Sequence, residues 1–185
     1  MSLSIRIEGL AIVSANGMIA DSNCQMPNSL KLEADQEFFE TCLDNAALLV
    51  HGRKSHEGQT NSANRRRLLL TRSVAALVKD EEAPNQWLWN PEGLGLDDVC
   101  RELAVLEGVV AILGGTAAYD MFLPRYSAFH LCRAGKVHIP DGTPVLSDVG
   151  LGYSPEKVMS CYGLAPRRTR MLDPEHDLTH IEFAK

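Results

Sequence analysis

The amino-acid sequence predicts an α/β fold with a mixed central sheet, parallel at its centre and antiparallel at its C-terminal edge. Over the first two thirds of the chain, short apolar runs alternate with helical patterns, as in parallel sheets. The most apolar run, residues 109–113, predicts a strand buried on both faces at the centre of the sheet. After Pro124 no long helix separates the apolar runs, which favours antiparallel pairing there.

The first half of the chain is predicted to contain three strands and one helix. Residues 5–14 and 47–51 are rich in Ile, Leu, Val and Ala, and both runs lead into glycine-containing turns. Apolar residues recur at helical spacing over residues 33–46. Residues 16–30 show no period and predict a long loop, which in a compact domain is usually functional. Residues 67–71 predict the third strand.

The second half is predicted to continue with a short strand at residues 87–89 and a helix capped by Asp97. Thr116 is expected to open a further short helix, which stops near Pro124. Later strands are predicted at residues 127–134, 158–162 and 179–184, with a turn at residues 140–144.

Composition and charge restrict the class of protein. A chain of 185 residues, 45% of them hydrophobic, is large enough for one globular domain, which we expect to span residues 1–185. The net charge of −6 argues against a nucleic-acid partner, since such a protein needs a basic face. No stretch approaches the roughly 20 apolar residues of a membrane span, so no membrane partner is expected. We expect a cytoplasmic protein.

The cysteines and histidines indicate neither a disulfide framework nor a metal centre. The five cysteines are widely spread and never occur as C-x-x-C, so they are expected to be reduced thiols. His176 and His180 have i, i+4 spacing but lie near a strand start without an adjacent carboxylate motif, so no metal site is predicted.

A glycine pair follows the central strand. Gly114 and Gly115 allow a tight turn and close approach of a ligand to the backbone, and the helix opened by Thr116 begins directly after them. Free N–H groups and the positive end of a helix dipole would then favour a phosphate or pyrophosphate. A tight strand-to-helix turn without a ligand explains the same residues, so both interpretations stay open at this point.

Two further strand ends are predicted to join this site. Gly52 and Thr71 follow the strands at residues 47–51 and 67–71, and cationic residues stand next to each of them. Ligands of such sheets bind outside the carboxyl ends of the strands. We therefore expect these two loops and the glycine pair to converge on one crevice.

Asp35 is the residue predicted to give this crevice a chemistry. It lies four positions before Phe39 and seven before Cys42, so its carboxyl projects from the apolar face of the helix. Burial there would favour the protonated form and suit Asp35 to proton transfer or to binding the amidine edge of a heterocycle. The alternative is a structural acid that caps the helix. Phosphate-binding loops together with one isolated acid favour a reductase.

Four segments in this order resemble the dihydrofolate reductase family. They are Gln25-Met26-Pro27 followed by Asp35 and Phe39, then residues 50–55, 70–72 and 112–124. The resemblance covers residues 5–148 and continues less distinctly to the end. It implies a three-layer α/β/α fold and NADPH as cofactor. The cofactor-binding positions that it implies are Ala11, Ile19, Gly52, Arg53, Lys54, Ser55, Thr71, Arg72, Gly114, Gly115, Thr116, Ala117, Ala118 and Tyr119.

On the substrate side, the resemblance implies that Asp35 is the active-site acid and that the loop after Asn16 is a mobile gate. It implies that Arg65 holds the glutamate carboxylate of the substrate. The pterin pocket would be lined by Ile12, Phe39, Leu113 and Cys132.

The sequence departs from the family pattern mainly on the substrate side. Asn28 stands where a tryptophan is usual, and Cys132 stands where a threonine normally bonds the acid. Two extra residues separate Pro27 from Asp35, and Thr116 replaces a common third glycine. Residues 14–20 also resemble the riboflavin-pathway pyrimidine reductase, which shares the fold and the cofactor.

The expected function is therefore an NADPH-dependent reductase that acts on a dihydropterin such as dihydrofolate. The alternatives are the riboflavin-pathway reductase, or a paralogue with another small substrate, and a nucleotide-binding module without turnover. A small-molecule substrate is the expected partner, and the protein is expected to be a monomer or a homodimer.

Overall fold

The computed structural model describes residues 2–53 and 61–185. The strands there are β1 (Ser4–Ser14), β2 (Met18–Ala20), β3 (Leu48–Gly52), β4 (Arg67–Leu70), β5 (Leu77–Lys79), β6 (Gln86–Trp89), β7 (Glu107–Ile112), β8 (Ala128–Ala134), β9 (Thr143–Pro144), β10 (Ala165–Asp173) and β11 (Leu178–Ala184). The α-helices are α1 (Glu33–Asp44), α2 (Leu96–Glu102), α3 (Thr116–Phe122), α4 (Ser147–Gly150) and α5 (Pro155–Cys161). Short 3-10 turns occupy Asn28–Leu30, Ser62–Asn64 and Leu123–Arg125.

Within the described residues, nine strands form the main sheet in the order β10-β11-β8-β1-β7-β3-β4-β6-β5. The five pairings from β8 to β6 are parallel, whereas β10, β11 and β5 add antiparallel edges. Strand β7 holds the middle position, as its unbroken apolar sequence predicts. The predicted mixed sheet with a parallel core and an antiparallel C-terminal edge is confirmed. A small antiparallel pair, β2 with β9, lies beside it.

Helices cover both faces of the sheet, which confirms the three-layer α/β/α architecture. On one face, Leu43 of α1 packs with Leu10, Leu49 and Ala111 from β1, β3 and β7. On the other face, helices α2, α3 and α5 contribute to the largest apolar cluster, together with alternate residues of the same strands. Because α1 connects β1 to β3, it begins at the carboxyl end of β1 and runs back towards the amino end of the sheet.

Residues 158–162 are helical, so the prediction of a strand there was wrong. They belong mostly to α5, where the Ser154 side chain accepts a hydrogen bond from the Lys157 backbone N–H and Pro155 occupies the first turn. Val158 and Met159 are buried by this helix. A short apolar run cannot by itself distinguish a strand from a helical segment, and the Ser-Pro start was the better signal.

Strand β10 was missed because its sequence is charged and exposed. It forms the outer edge of the sheet, where arginines at positions 167, 168 and 170 protect the open edge from pairing with another strand.

Two further predictions need correction. Asp97 lies in the first turn of α2, whose N-cap is Gly95, and it does not cap the helix. The predicted loop at residues 16–30 contains β2 and the 3-10 turn Asn28–Leu30.

Among the described residues, none of the helices has the length and hydrophobicity needed to cross a membrane.

Candidate active site

Asp35 lies on the sheet-facing side of α1 and is 9% exposed. The N-cap of this helix is Leu32, so Asp35 is the third residue of the helix. Burial raises the pKa of the Asp35 carboxyl to about 6, and a hydrogen bond with the Cys132 thiol offsets part of the shift. Asp35 is therefore a buried acid inside the helix and not its N-cap residue.

Cys132, which bonds Asp35, lies beside Ile12 in the sheet. They lie directly opposite each other in the parallel pairing of β8 with β1, and both are buried. Leu30 and Leu32, which lead into α1, complete the same apolar cluster. The structure thus brings Cys132 into contact with the predicted acid and places Ile12 beside Cys132.

Phe39 and Leu113 pack against the same apolar cluster between α1 and the sheet. Phe39 lies one helical turn after Asp35, and both Phe39 and Leu113 pack against the cluster of Leu10, Leu43, Leu49 and Ala111. Leu113 immediately precedes Gly114. The two remaining predicted pocket residues therefore pack against one apolar cluster on this face of the sheet.

The glycine pair follows β7 and precedes α3, as predicted. Gly114 has φ +114°, and a Cβ there would lie 3.1 Å from the Tyr119 hydroxyl oxygen. Gly115 is the N-cap of α3 with φ −78°, and no heavy atom lies within 4 Å of an added Cβ. Gly114 is thus required by the backbone and by packing, whereas Gly115 leaves open space.

Residues of α3 and its flank fix this turn. The Tyr119 hydroxyl donates to the Leu10 carbonyl oxygen at 2.5 Å, and burial raises its pKa far above the ordinary value. Thr116, the first residue of α3, donates its hydroxyl to the Pro144 carbonyl. Ala118 is buried in the large apolar cluster, and Ala117 is exposed. These contacts hold the helix start in one position.

Two of the three predicted strand ends are joined by a backbone hydrogen bond. The Gly52 N–H donates to the Gly114 carbonyl oxygen, with an N···O distance of 2.9 Å. One strand further along, the Thr71 N–H donates to the Trp89 carbonyl, and the buried Thr71 hydroxyl contacts the Ser73 hydroxyl at 2.8 Å. The loops after β3, β4 and β7 therefore lie at one edge of the sheet.

Cations stand at two of these loop ends. Arg53 follows β3 and is exposed. The Arg72 Nε lies 3.6 Å from the Glu92 carboxylate. Both side chains are largely exposed, 86% for Arg72, so solvent screens their attraction strongly. Lys54 and Ser55, also predicted to bind the cofactor, lie outside the described residues.

Ala11 and Ile19 occupy the opposite side of β1 from Asp35. Ala11 pairs with Leu131 of β8, and both Ala11 and Ile19 pack against the large apolar cluster. Ile19 belongs to β2 within the predicted gate loop. That loop is held at its base by Asn16, whose side-chain amide donates to the Ile139 carbonyl at 2.8 Å.

Arg65 is buried at the far end of α1 from Asp35. Its Nε and Nη2 both donate to one carboxylate oxygen of Asp44, at 3.0 and 2.6 Å. The Arg65 side chain is 7% exposed and that of Asp44 is 51% exposed. The arginine predicted to hold a substrate carboxylate thus already holds a carboxylate of the chain.

A second polar group under α1 was not anticipated. His130 Nδ1 lies 3.1 Å from His180 Nε2, and His130 Nε2 lies 3.3 Å from a carboxylate oxygen of Glu8. Phe38 packs against both imidazole rings. Burial lowers the pKa of His180 to about 4, so this ring is neutral. Strand alternation places Glu8, His130 and His180 on the face of the sheet that carries Cys132. The sequence indicates this shared face once the pairing of β8 with β1 and β11 is known.

No protein-family model and no curated protein matches this sequence. Solved structures do match it in fold. The diaminohydroxyphosphoribosylaminopyrimidine deaminase/5-amino-6-(5-phosphoribosylamino)uracil reductase of Thermotoga maritima has 13% sequence identity and a TM-score of 0.67 over 98% of this chain. The chain spans 56% of the length of that protein.

Two other solved structures match almost end to end. A putative riboflavin biosynthesis protein from Shewanella sp. PV-4 has 15% identity and a TM-score of 0.64, and the match covers 97% of this chain and 98% of that one. Dihydrofolate reductase from Enterococcus faecalis, complexed with NADP(H) and RAB-propyl, has 15% identity and a TM-score of 0.64, with 100% and 98% covered. The chain therefore has the dihydrofolate reductase-like fold, which riboflavin-pathway proteins share.

Proposed function

We propose that the protein is an NADPH-dependent reductase of a dihydropterin such as dihydrofolate, with Asp35 as its active-site acid. One observation carries the proposal, namely a buried carboxyl, Asp35, that bonds Cys132 near the carboxyl ends of the parallel strands, the end of the sheet at which the open glycine turn also lies. The pKa of about 6 leaves this carboxyl partly protonated close to neutral pH, as proton transfer requires. A reductase needs orientation and one such polar group from its protein.

The residues at the loop ends fit a dinucleotide. The space beside Gly115 is open, and the backbone at Gly52 and Gly114 is fixed by a direct hydrogen bond. Arg53 and Arg72 are exposed cations at the same edge and would hold phosphate groups. When bound, NADPH supplies the hydride. The likeness to a dihydrofolate reductase complexed with NADP(H) supports this choice of cofactor.

The chain itself would orient the substrate and handle the proton. Asp35 would bind the amidine edge of the pterin and provide a proton to it. The Cys132 thiol would keep the carboxyl in place where the family pattern has a hydroxyl. Ile12, Phe39 and Leu113 would exclude water from the ring, which strengthens every electrostatic interaction at the site.

A riboflavin-pathway reductase is the second candidate. The Thermotoga maritima protein is a 5-amino-6-(5-phosphoribosylamino)uracil reductase and the Shewanella sp. PV-4 protein is a putative riboflavin biosynthesis protein, and both match nearly the whole of this chain. The departures at Asn28 and Cys132 lie on the substrate side and leave the cofactor side unchanged. Both candidates share the cofactor and differ in the heterocycle.

The test is consumption of NADPH, followed by its absorbance, with dihydrofolate and with the ribosylaminopyrimidine as separate substrates. Turnover of dihydrofolate supports the first candidate, and turnover of the pyrimidine alone supports the second. Binding of NADPH without turnover of either substrate contradicts both and supports a nucleotide-binding module.

We further propose that residues 1–185 act as one domain, as a monomer or homodimer in the cytoplasm, with a small-molecule substrate and neither nucleic acid nor membrane as partner. The net charge of −6 and the five dispersed cysteines support this setting. Sedimentation analysis of the purified protein measures its oligomeric state.

A further inference from the structure

We propose that the histidine pair formed by His130 and His180 is an acid-sensitive contact, which holds α1 against the sheet and releases this helix when both imidazole rings are protonated. Neither cofactor nor substrate takes part, so the device is separate from the proposed reductase activity. It acts on the helix that carries Asp35.

The partners of the histidine pair restrict where its hydrogens lie. The Glu8 carboxylate, whose pKa is held below its ordinary value mainly by the hydrogen bond with His130, only accepts, so His130 Nε2 donates to it. His130 Nδ1 and His180 Nε2 are 3.1 Å apart, so one of these nitrogens must donate and the other must accept. Two protonated rings would place a hydrogen on both nitrogens, and the contact would become repulsive. The pair stays intact only while one ring is neutral.

Burial adds to the cost of charging the second ring. The His130 side chain is 15% exposed and His180 is 4% exposed. Desolvation by burial, with a smaller contribution from His130, lowers the pKa of His180 to about 4. A His180 ring released into water would have its ordinary pKa of 6.5. Because the released state binds the proton more strongly, a fall in pH from 6.5 towards 4 favours release.

Phe38 links the histidine pair to α1. Its ring centroid lies 4.4 Å from that of His180 and 5.9 Å from that of His130. Phe38 also packs against both apolar clusters beneath α1. Asp35 lies three positions before Phe38, and its partner Cys132 lies opposite His180 in the pairing of β8 with β11. Separation of the two rings therefore removes packing from α1 close to Asp35.

The neighbouring strands and α1 bring further charged groups towards the histidine pair. Arg168 and Arg170 of β10 lie opposite Glu182 and His180, and both arginines disfavour a second positive charge on His180. Glu37 and Arg170 line, together with Phe38, a cavity of about 330 Å³ that leaves room for the Phe38 ring to move. The other titratable or charged groups are Arg6, which pairs with Glu8, and Asp35, Cys42 and Cys132, the two thiols being neutral because burial raises their pKa.

Hydrogen exchange of the α1 amides at pH 7 and pH 5, corrected for the intrinsic exchange rates, measures how often this helix opens. The difference between the His180 pKa values of 6.5 and about 4 predicts that the opening equilibrium of the wild type increases about twentyfold between pH 7 and pH 5. His180→Gln should remove this increase, because the glutamine amide can donate to or accept from His130 and does not titrate. Helix α2, on the other face of the sheet, should show no such increase.

His176→Gln is the matched control, because it removes a half-exposed histidine, paired with Asp173, from the turn between β10 and β11. This variant should keep the increase seen in α1 of the wild type. Equal changes of α1 opening in the wild type and in His180→Gln would overturn the inference. An increase that extends equally to α2 would also overturn it, since that result indicates a loss of global stability and not release of one helix.

A titration of the wild type tests the same contact if His180→Gln does not fold. The 15N NMR signals of the histidine side chains report which ring nitrogens carry a hydrogen. We expect His180 to be neutral at pH 6 and to share a single hydrogen with His130 across their contact. A His180 ring that is mostly charged at pH 6 would overturn the inference.

Discussion

The Gly52 N–H and the Gly114 carbonyl oxygen are 2.9 Å apart, so the loops that follow β3 and β7 are linked directly through their backbones. Leu113, which precedes Gly114, similarly donates its N–H to the Val50 carbonyl. A ligand bound to one loop therefore contacts a surface whose geometry the other loop helps to fix. Gly114 is held by this link, whereas Gly115 has open space beside it, so mutation can separate the roles of these two glycines.

Gly115→Ala should weaken cofactor binding with little effect on stability. The added Cβ meets no protein atom within 4 Å and φ is −78°, so the fold accepts it, whereas a pyrophosphate placed there would not. Gly114→Ala is the contrasting variant, because φ is +114° and Tyr119 is close. It should lower the free energy of unfolding by about 1–3 kcal/mol. Calorimetric titration of NADPH and urea unfolding measure the two effects; normal affinity of Gly115→Ala would make the pair purely structural.

NADPH should bind more tightly than NADH by roughly 1–3 kcal/mol, the range of hydrogen bonds to charged groups. In the proposed complex, the 2′-phosphate of NADPH would add negative charge near Arg53 and Arg72. Arg72→Gln should reduce this preference, because its pairing with Glu92 at 3.6 Å is weak and exposed. Arg101→Gln, which removes an exposed arginine from α2, is the control. Equal affinity for the two cofactors would contradict the assignment of these loops.

The stability difference between Asp35→Asn and the wild type should depend on pH. Folding raises the pKa of Asp35 from its ordinary 3.8 to about 6, so the native state disfavours the ionised form. The resulting cost is absent below pH 4, grows between pH 4 and 6 and is complete above that. Asparagine avoids this cost. The free energy of unfolding of the variant, relative to that of the wild type, should therefore be up to about 3 kcal/mol higher at pH 7 than at pH 4. Urea unfolding at both pH values measures this; a constant difference would show that Asp35 is not desolvated.

Much of the layered architecture could be predicted because parallel strands that are buried on both faces are unbroken apolar runs. Strand β7 was recognisable for that reason, and the helix after Glu33 was recognisable from its apolar residues at helical spacing. Strand β10 could not be recognised, because an exposed edge strand has no apolar pattern to display. The strand predicted at residues 158–162 was wrong because a short apolar run fits either a strand or a helix.

The candidate site was predictable where a residue's role depends on local spacing. The position of Asp35 on the apolar face of α1 follows from its distance to Phe39 and Cys42. Pairs formed between distant segments were not accessible in the same way. The Arg65–Asp44 ion pair and the His130–His180 contact require knowledge of which elements meet, and the sequence pattern of each element is silent on that point.

The central claim is that Asp35 is the acid of a reductase, and steady-state turnover of Asp35→Asn tests it most directly. The substitution keeps the side-chain volume but removes proton exchange, so kcat should fall by about 10²–10⁴-fold on the substrate identified by NADPH oxidation. The affinity for NADPH should be unchanged, and Asp98→Asn, which changes an exposed aspartate of α2, should behave as the wild type. Turnover by Asp35→Asn equal to that of the wild type on that substrate would contradict the account.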